Sequence, residues 1–210
     1  MVLSDWPKEP VDAIFFHGRG EGDHDGLFEL ALEFWRDGMH VVVNDFEGAQ
    51  GMEWGGYQAP GSSFYVACLT RYGIPSGSIV CTRQCFHTNE ENDAFIELAK
   101  ERMWKRAVMI SQPHQVLREF LGAIQSSKTY NYPMKLYAAC PVVTLWFKDV
   151  FANISITESM ERFRFSFKEC ERIFQYQQKG DLCTFEEFFE YMQNRYDTLR
   201  GIFLLYSLYG

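Results

Sequence analysis

Five short apolar runs set the frame for this chain: residues 12–17 (DAIFFH), 41–43 (VVV), 78–82 (SIVCT), 107–111 (AVMIS) and 134–140 (MKLYAAC). The segments between them carry apolar residues at helical spacing, and Gly73-Ile74-Pro75 stops the one that runs from Ser62 to Tyr72. Strands that alternate with helices of this length pair in parallel, because each crossover needs a helix to bring the chain back to the same end of the sheet. After Pro141 the pattern changes. Residues 157–178 and 185–199 read as two amphipathic helices joined at Gly180-Asp181. The expected architecture is an α/β domain of about five parallel strands over residues 1–145, with a C-terminal helical appendage over 146–210 packed on it.

With 210 residues, 47% of them hydrophobic, the chain has enough apolar surface for a sizeable core. A formal net charge of -8 argues against a nucleic-acid backbone or an anionic membrane as the main partner, since both require concentrated basic surface. The six cysteines, 68, 81, 85, 140, 170 and 183, form no CxxC pair, and several lie inside apolar runs. The N-terminal residues do not make a basic segment followed by an apolar stretch, and no window reaches about 18 apolar residues. A cytoplasmic protein with reduced thiols is expected, in which Asn153-Ile154-Ser155 is not a glycosylation site.

In open parallel sheets, ligands bind beyond the carboxyl ends of the strands, so the residues that follow each run are the candidates. After the first run, Gly18-Arg19-Gly20-Glu21-Gly22 reads either as an anion-cradling loop with Arg19 supplying charge or as a flexible turn. Its glycine spacing is neither a dinucleotide fingerprint nor a P-loop. His17, Asp23, His24 and Asp25 match no metal-site spacing, so an acidic, solvated loop is expected and no metal. After the second run come Asn44 and Asp45, a carboxylate being the usual ribose partner at such a position, and then a Gly-rich loop over 46–61.

Thr88 and Glu91 have capping-box spacing, which leaves Asn89 and Asn92 spare for a ligand beside a helix N-terminus. Ser111-Gln112-Pro113-His114 closes the fourth run with Pro113 at a first helical position, and His114 and Arg118 stand one turn apart. His114 suits an acid or base by its ordinary pKa, or a cap on a buried strand end. Ser62 and Ser63 read as helix caps, Cys140 as a core residue, and no nucleophile elbow is present. The aromatic stripes Phe163, Phe165, Phe167 and Phe185, Phe188, Phe189 read as core or interface.

The stretch from Tyr72 to Arg118 resembles the ElyC/SanA/YdcF family of bacterial domains. Its carriers are Gly73-Ile74-Pro75, the phrase Phe86-His87-Thr88-Asn89-Glu90-Glu91-Asn92, and the phrase from Ser111 through His114 to Arg118. Thr88, Glu91, Asn92, His114 and Arg118 fall in register with the family. His87 stands where an Asn is usual, Asn44-Asp45-Phe46-Glu47-Gly48 replaces a Ser-Gly-Gly turn, and Gly26 stands near the place of an Arg. Glu169-Cys170-Glu171-Arg172, Tyr176 and Lys179-Gly180-Asp181 are similar to the C-terminal helical region of the YdcF branch, the one without a membrane anchor. The resemblance implies a Rossmann-like three-layer domain plus helices and binding of S-adenosylmethionine, and it brings no established reaction.

The expected function is binding of a nucleoside-containing small molecule of the S-adenosylmethionine kind at the strand ends. Gly18, Arg19 and Gly20 would meet its polar end and Asn44 or Asp45 a ribose hydroxyl, with Thr88, Asn89, Asn92, Ser111, Gln112, His114 and Arg118 around the remainder. One alternative is a transferase using that ligand, or a hydrolase of a phosphate- or nucleotide-containing metabolite, with His114 as acid or base and Arg118 and Arg19 clamping an anion. Another is an interaction protein whose helical appendage is a docking or homodimer surface.

Overall fold

The computed structural model describes residues 6–20, 22–46, 60–142, 144–150 and 159–195. Most of the loop over 46–61, the Asn153-Ile154-Ser155 triplet, Glu21, and residues 157, 158 and 196–199 of the two expected helices lie outside them. Five strands, β1 (Ala13–Phe16), β2 (His40–Val43), β3 (Ile79–Cys81), β4 (Arg106–Ile110) and β5 (Lys135–Ala139), form one parallel sheet in the order β3-β2-β1-β4-β5. The connecting helices are α1 (Leu27–Phe34), α2 (Ser62–Arg71), α3 (Thr88–Glu101) and α4 (Val116–Thr129), followed by α5 (Arg162–Lys179) and α6 (Phe185–Arg195). This is a Rossmann-like three-layer α/β fold with C-terminal helices.

Side chains alternate across the sheet, and the alternation sorts the core into two layers. Ala13, Phe15, Val42, Ala107, Met109, Leu136 and Ala138 face one way, against Phe95 and Ile96 of α3 and Phe120, Leu121 and Ile124 of α4. Ile14, Phe16, Val41, Val43, Val108 and Ile110 face the other way, against Leu27, Phe28 and Ala31 of α1 and Tyr65 and Leu69 of α2. Each Phe or Ile removed from water contributes roughly 1.5–3 kcal/mol, so two such layers offset much of the chain entropy lost on folding. The appendage joins the first layer, since Ile173, Leu182, Cys183 and Phe188 belong to the same cluster as α4.

Helix α4 is therefore enclosed on nearly every side, and even its polar residues Arg118, Glu119, Ser126 and Ser127 are buried. In α5 the buried residues Arg162, Phe165, Glu169 and Ile173 recur at helical spacing along one stripe. β5 lies at a sheet edge, and there Leu136 is covered from outside by α6. Its N–H donates to Tyr191 Oη (2.5 Å), and its carbonyl accepts from Arg195.

Several local expectations are corrected. α4 begins at Val116, because residues 113–115 form a turn in which Gln115 and Val116 N–H donate to the Gln112 carbonyl. The cap of α2 is Gly61 and makes no side-chain bond; Ser62 Oγ instead reaches Asp45 Oδ1 (3.3 Å). α1 ends at Phe34, short of Asp37, with Gly38 in a left-handed turn. A two-residue antiparallel pair, β6 (Asp149–Val150) with β7 (Met160–Glu161), precedes α5 and is too short for a periodicity reading to reveal. Among the described residues, no helix is long and apolar enough to cross a membrane.

Candidate functional site

The strand order reverses beside β1, so the loops after β1 and β4 diverge and leave a crevice at the carboxyl end of the sheet. A cleft of about 360 Å³ opens there. Its walls come from Gly18, Arg19 and Gly20 after β1, Asn44 and Phe46 after β2, and the run Cys85 to Glu91, which spans the approach to α3 and its first turn. Tyr65 of α2, Gln115 and Arg118 beside or on α4, and Arg172, Tyr176 and Asp181 of the appendage complete it.

The loop after β1 is held by side chains from distant parts of the chain. Gly18 N–H donates to Glu91 Oε1 (3.1 Å), and Arg19 N–H donates to Tyr65 Oη (2.6 Å). Two of the donors a cradle would offer an anion are thus already committed. A side chain at position 18 would put its Cβ 2.9 Å from Glu91 Oε1, so glycine is what permits this approach. Arg19 turns inward. Its Nη2 donates to Ser111 Oγ (2.6 Å) and pairs with Glu119, both in the interior.

Beneath the cleft floor, Glu119 collects the buried charges. His17 Nδ1 lies 3.4 Å from its Oε2, and the opposite ring nitrogen is 2.9 Å from Asn92 Oδ1, while Asn92 Nδ2 donates to the Glu119 carbonyl (3.5 Å). Burial alone would raise the Glu119 carboxyl, but Arg19, His17 and Arg118 outweigh it and hold it down at about 2. His17 is pushed down to about 4, chiefly by burial, with Glu119 opposing. At neutral pH the centre is therefore a neutral imidazole beside an arginine–carboxylate pair.

Glu91 does not cap α3. The N-cap is His87, without a side-chain bond, and Glu90 reaches back to Phe86 N–H (2.7 Å). The Glu91 carboxyl is directed into the cleft wall, where Oε1 accepts from Gly18 N–H and from Asn44 Nδ2 (3.1 Å). Asn44 in turn clamps Cys85, donating to its carbonyl (2.8 Å) and accepting its N–H (2.9 Å). Burial raises Glu91 to about 7, Arg19 acting against that and Glu119 with it.

A second cluster ties the β1 loop to the appendage. Arg162, wholly buried, donates from Nε to Asp23 Oδ1 (3.0 Å), from Nη2 to Asp25 Oδ2 (2.9 Å) and from Nη1 to the Leu145 carbonyl (3.0 Å). Lys148 adds bonds of 2.8 Å to both Asp25 oxygens. The loop was expected to be solvated; instead Asp23 is 0% exposed, because α5 folds back over it. Burial raises Asp23 to about 6, with Arg19 and Arg162 opposing. Among the described residues, no group of three or more His, Cys, Asp and Glu could hold a metal ion.

Of the residues singled out in the sequence, Gly18, Arg19, Gly20, Asn44, Thr88, Asn89 and Arg118 come together around the cleft. Asn92 and Ser111 lie in the buried network below it. Gln112 ties down the loop by donating to the carbonyls of Asp23 (3.2 Å) and Asp25 (3.0 Å), and Asp45 holds Ser62. None of these four, nor His114, lines the cleft. His114 is buried against Phe165, with Nε2 3.6 Å from Asp23 Oδ2. Burial, reinforced by Arg19 and Arg162, lowers it to about 3.

The sequence reading overlooked Glu119, Arg162, Glu169 and Tyr176 as parts of this site. For Glu119 a signal existed, namely two adjacent charges, Arg118-Glu119, inside the otherwise apolar stretch from Val116 to Ile124. Glu169 receives Arg118 Nε on one oxygen and Arg172 Nη1 (2.6 Å) on the other, so two guanidinium groups share one buried carboxylate. Arg118 is 7% exposed, and its Nη1 and Nη2 make no hydrogen bond to a described residue although the side chain borders the cleft. No model of a known protein family matches the chain, and neither does any curated protein.

Proposed function

We propose that the protein binds a nucleoside-containing small molecule of the S-adenosylmethionine kind in this cleft, as its YdcF-like phrases imply. The observation that carries the reading is the coexistence, in one 360 Å³ space at the strand ends, of aromatic faces and a buried guanidinium with uncommitted N–H groups. Phe46, Phe86 and Tyr176 offer flat apolar surface to a base, Phe46 and Phe86 meeting edge to face with centroids 5.8 Å apart. Arg118 and Arg172 carry two positive charges against the single carboxylate of Glu169, which favours a ligand carboxylate or phosphate beside them. The first turn of α3 adds N–H groups that lack helical partners. A volume of this size suits a nucleoside with a short polar tail. No bond-making step is assigned to the cleft.

Calorimetric titration with S-adenosylmethionine, run beside S-adenosylhomocysteine, ATP and NAD, tests the reading. Saturable binding of the first, with Kd on the order of micromolar, is expected. Arg118→Gln should weaken it about tenfold or more, since a charge-assisted bond contributes roughly 1.5–3 kcal/mol. If the parent protein binds none of the four, the reading is wrong.

A further inference from the structure

Four carboxyl side chains are buried among the described residues: Asp23, Glu91, Glu119 and Glu169. Three of them have an arginine in contact: Arg162 on Asp23, Arg19 on Glu119, and Arg118 with Arg172 on Glu169. Glu91 has none. Its Oε1 is held by two neutral donors, Gly18 N–H and Asn44 Nδ2, and its Oε2 makes no hydrogen bond to a described residue. Removing an ionised carboxylate from water without a cation is costly, so such a group either keeps its proton or meets its cation elsewhere. Glu91 is also the one of the four that borders the cleft.

We propose that Glu91 receives the positively charged centre of the ligand, an ammonium or sulfonium group, and that it gives up a proton when that group arrives. The inference rests on the binding reading above and deepens it, since it makes the ligand a zwitterion. The negative end lies toward Arg118 and Arg172, and the positive end toward Glu91. The carboxyl is protonated in part at neutrality for a local reason. Burial raises it, Arg19 opposes from the loop after β1, and Glu119 of α4 adds to the rise. The other groups around it are Asn44 after β2, Tyr65 of α2, Cys85 before α3, Glu90 in the first turn of α3, and Arg118, Arg172 and Asp181 across the cleft. Arg19 acts on Glu91 only at a distance: it makes no ion pair with it, and its Nη2 is held by Glu119 and Ser111. A fixed cation in the cleft tips the balance to the carboxylate, and the released proton passes to solvent.

The sign follows. A cation that binds only the ionised form binds in proportion to the ionised fraction, so affinity rises with pH, by roughly eightfold between pH 6 and 7.5 for a carboxyl at about 7. Titration of S-adenosylmethionine at pH 6.5 in two buffers of different ionisation heat should register release of about three-quarters of a proton. Glu91→Gln, which keeps an oxygen for Gly18 N–H and Asn44, should release none and lose the pH dependence. S-Adenosylhomocysteine, which lacks the sulfonium, separates the two cations: unchanged proton release assigns the ammonium, and diminished release the sulfonium. Binding without proton release, or equal release from Glu91→Gln, overturns the inference while leaving the binding reading intact. Absence of binding at every pH removes both. A purely structural role for Glu91 would lower stability in the variant without altering the proton count.

Discussion

Glu119 is 1% exposed between Arg19 and His17, and its carboxylate is the counter-charge of Arg19, a residue that is itself 5% exposed. Glu119→Gln preserves shape but leaves Arg19 charged and buried, which should cost about 3–5 kcal/mol. Urea unfolding with an unchanged slope checks this, and a loss under about 1 kcal/mol would mean that water reaches Arg19 in the variant. Single residues are also where the sequence was least legible. Thr88 and Glu91 have the spacing of a capping box, yet Glu91 answers to Gly18, which is 73 positions away, and to Asn44. No local rule contains that competition. Arg19 reads as a surface cation offered to a ligand, and its commitment to Glu119 depends on a separation of 100 residues.

Helices α3 and α4 touch through Asn92 and Gly122, and a Cβ at Gly122 would lie 2.6 Å from Asn92 Nδ2 and 3.3 Å from Leu182 Cδ2. Asn92 has little freedom to retreat, since it is bonded to His17 and Glu119. Alanine improves helix propensity by about 1 kcal/mol, but separating the two helices costs about 1–3 kcal/mol. Gly122→Ala is therefore expected to lower Tm, and a rise would show that the contact is loose. At this scale the sequence told most of what the structure contains. Five apolar runs became the five strands: the inner strands β1, β2 and β4, buried on both faces, need unbroken apolar residues, while the edge strand β3 is only partly buried. The later start of α4 escaped notice because Pro113 suits a first helical turn and a simple turn equally well.

Across the molecule, buried titratable groups oppose one another. His17, His24 and His114 are lowered to about 4, 4 and 3, principally by burial, so the unfolded chain takes up three more protons below pH 6.5. Glu91 and Asp23 are raised to about 7 and 6, also by burial, so the folded chain holds two more protons until the unfolded carboxyls titrate near 4. The difference, one proton, makes stability decline shallowly from pH 6.5 to about 4.5. Below that the two carboxyls no longer compensate, and Glu119, held at about 2, adds to the loss. Tm measured from pH 8 to 3.5 should show a gentle slope and then a break near 4.5; a steep fall already at pH 6 would contradict it. The resistance of the fold to its own chemistry also has a counterpart at the sheet margin. β5 has no strand on its outer side, and a bare row of amides there would recruit other chains into extended, insoluble stacks. Tyr191 and Arg195 occupy the outward N–H and carbonyl of Leu136 and so act as a guard against polymerisation. Tyr191→Phe should leave ligand affinity as it is and shorten the time to visible precipitation on shaking, a property of colloidal lifetime and not of the cleft.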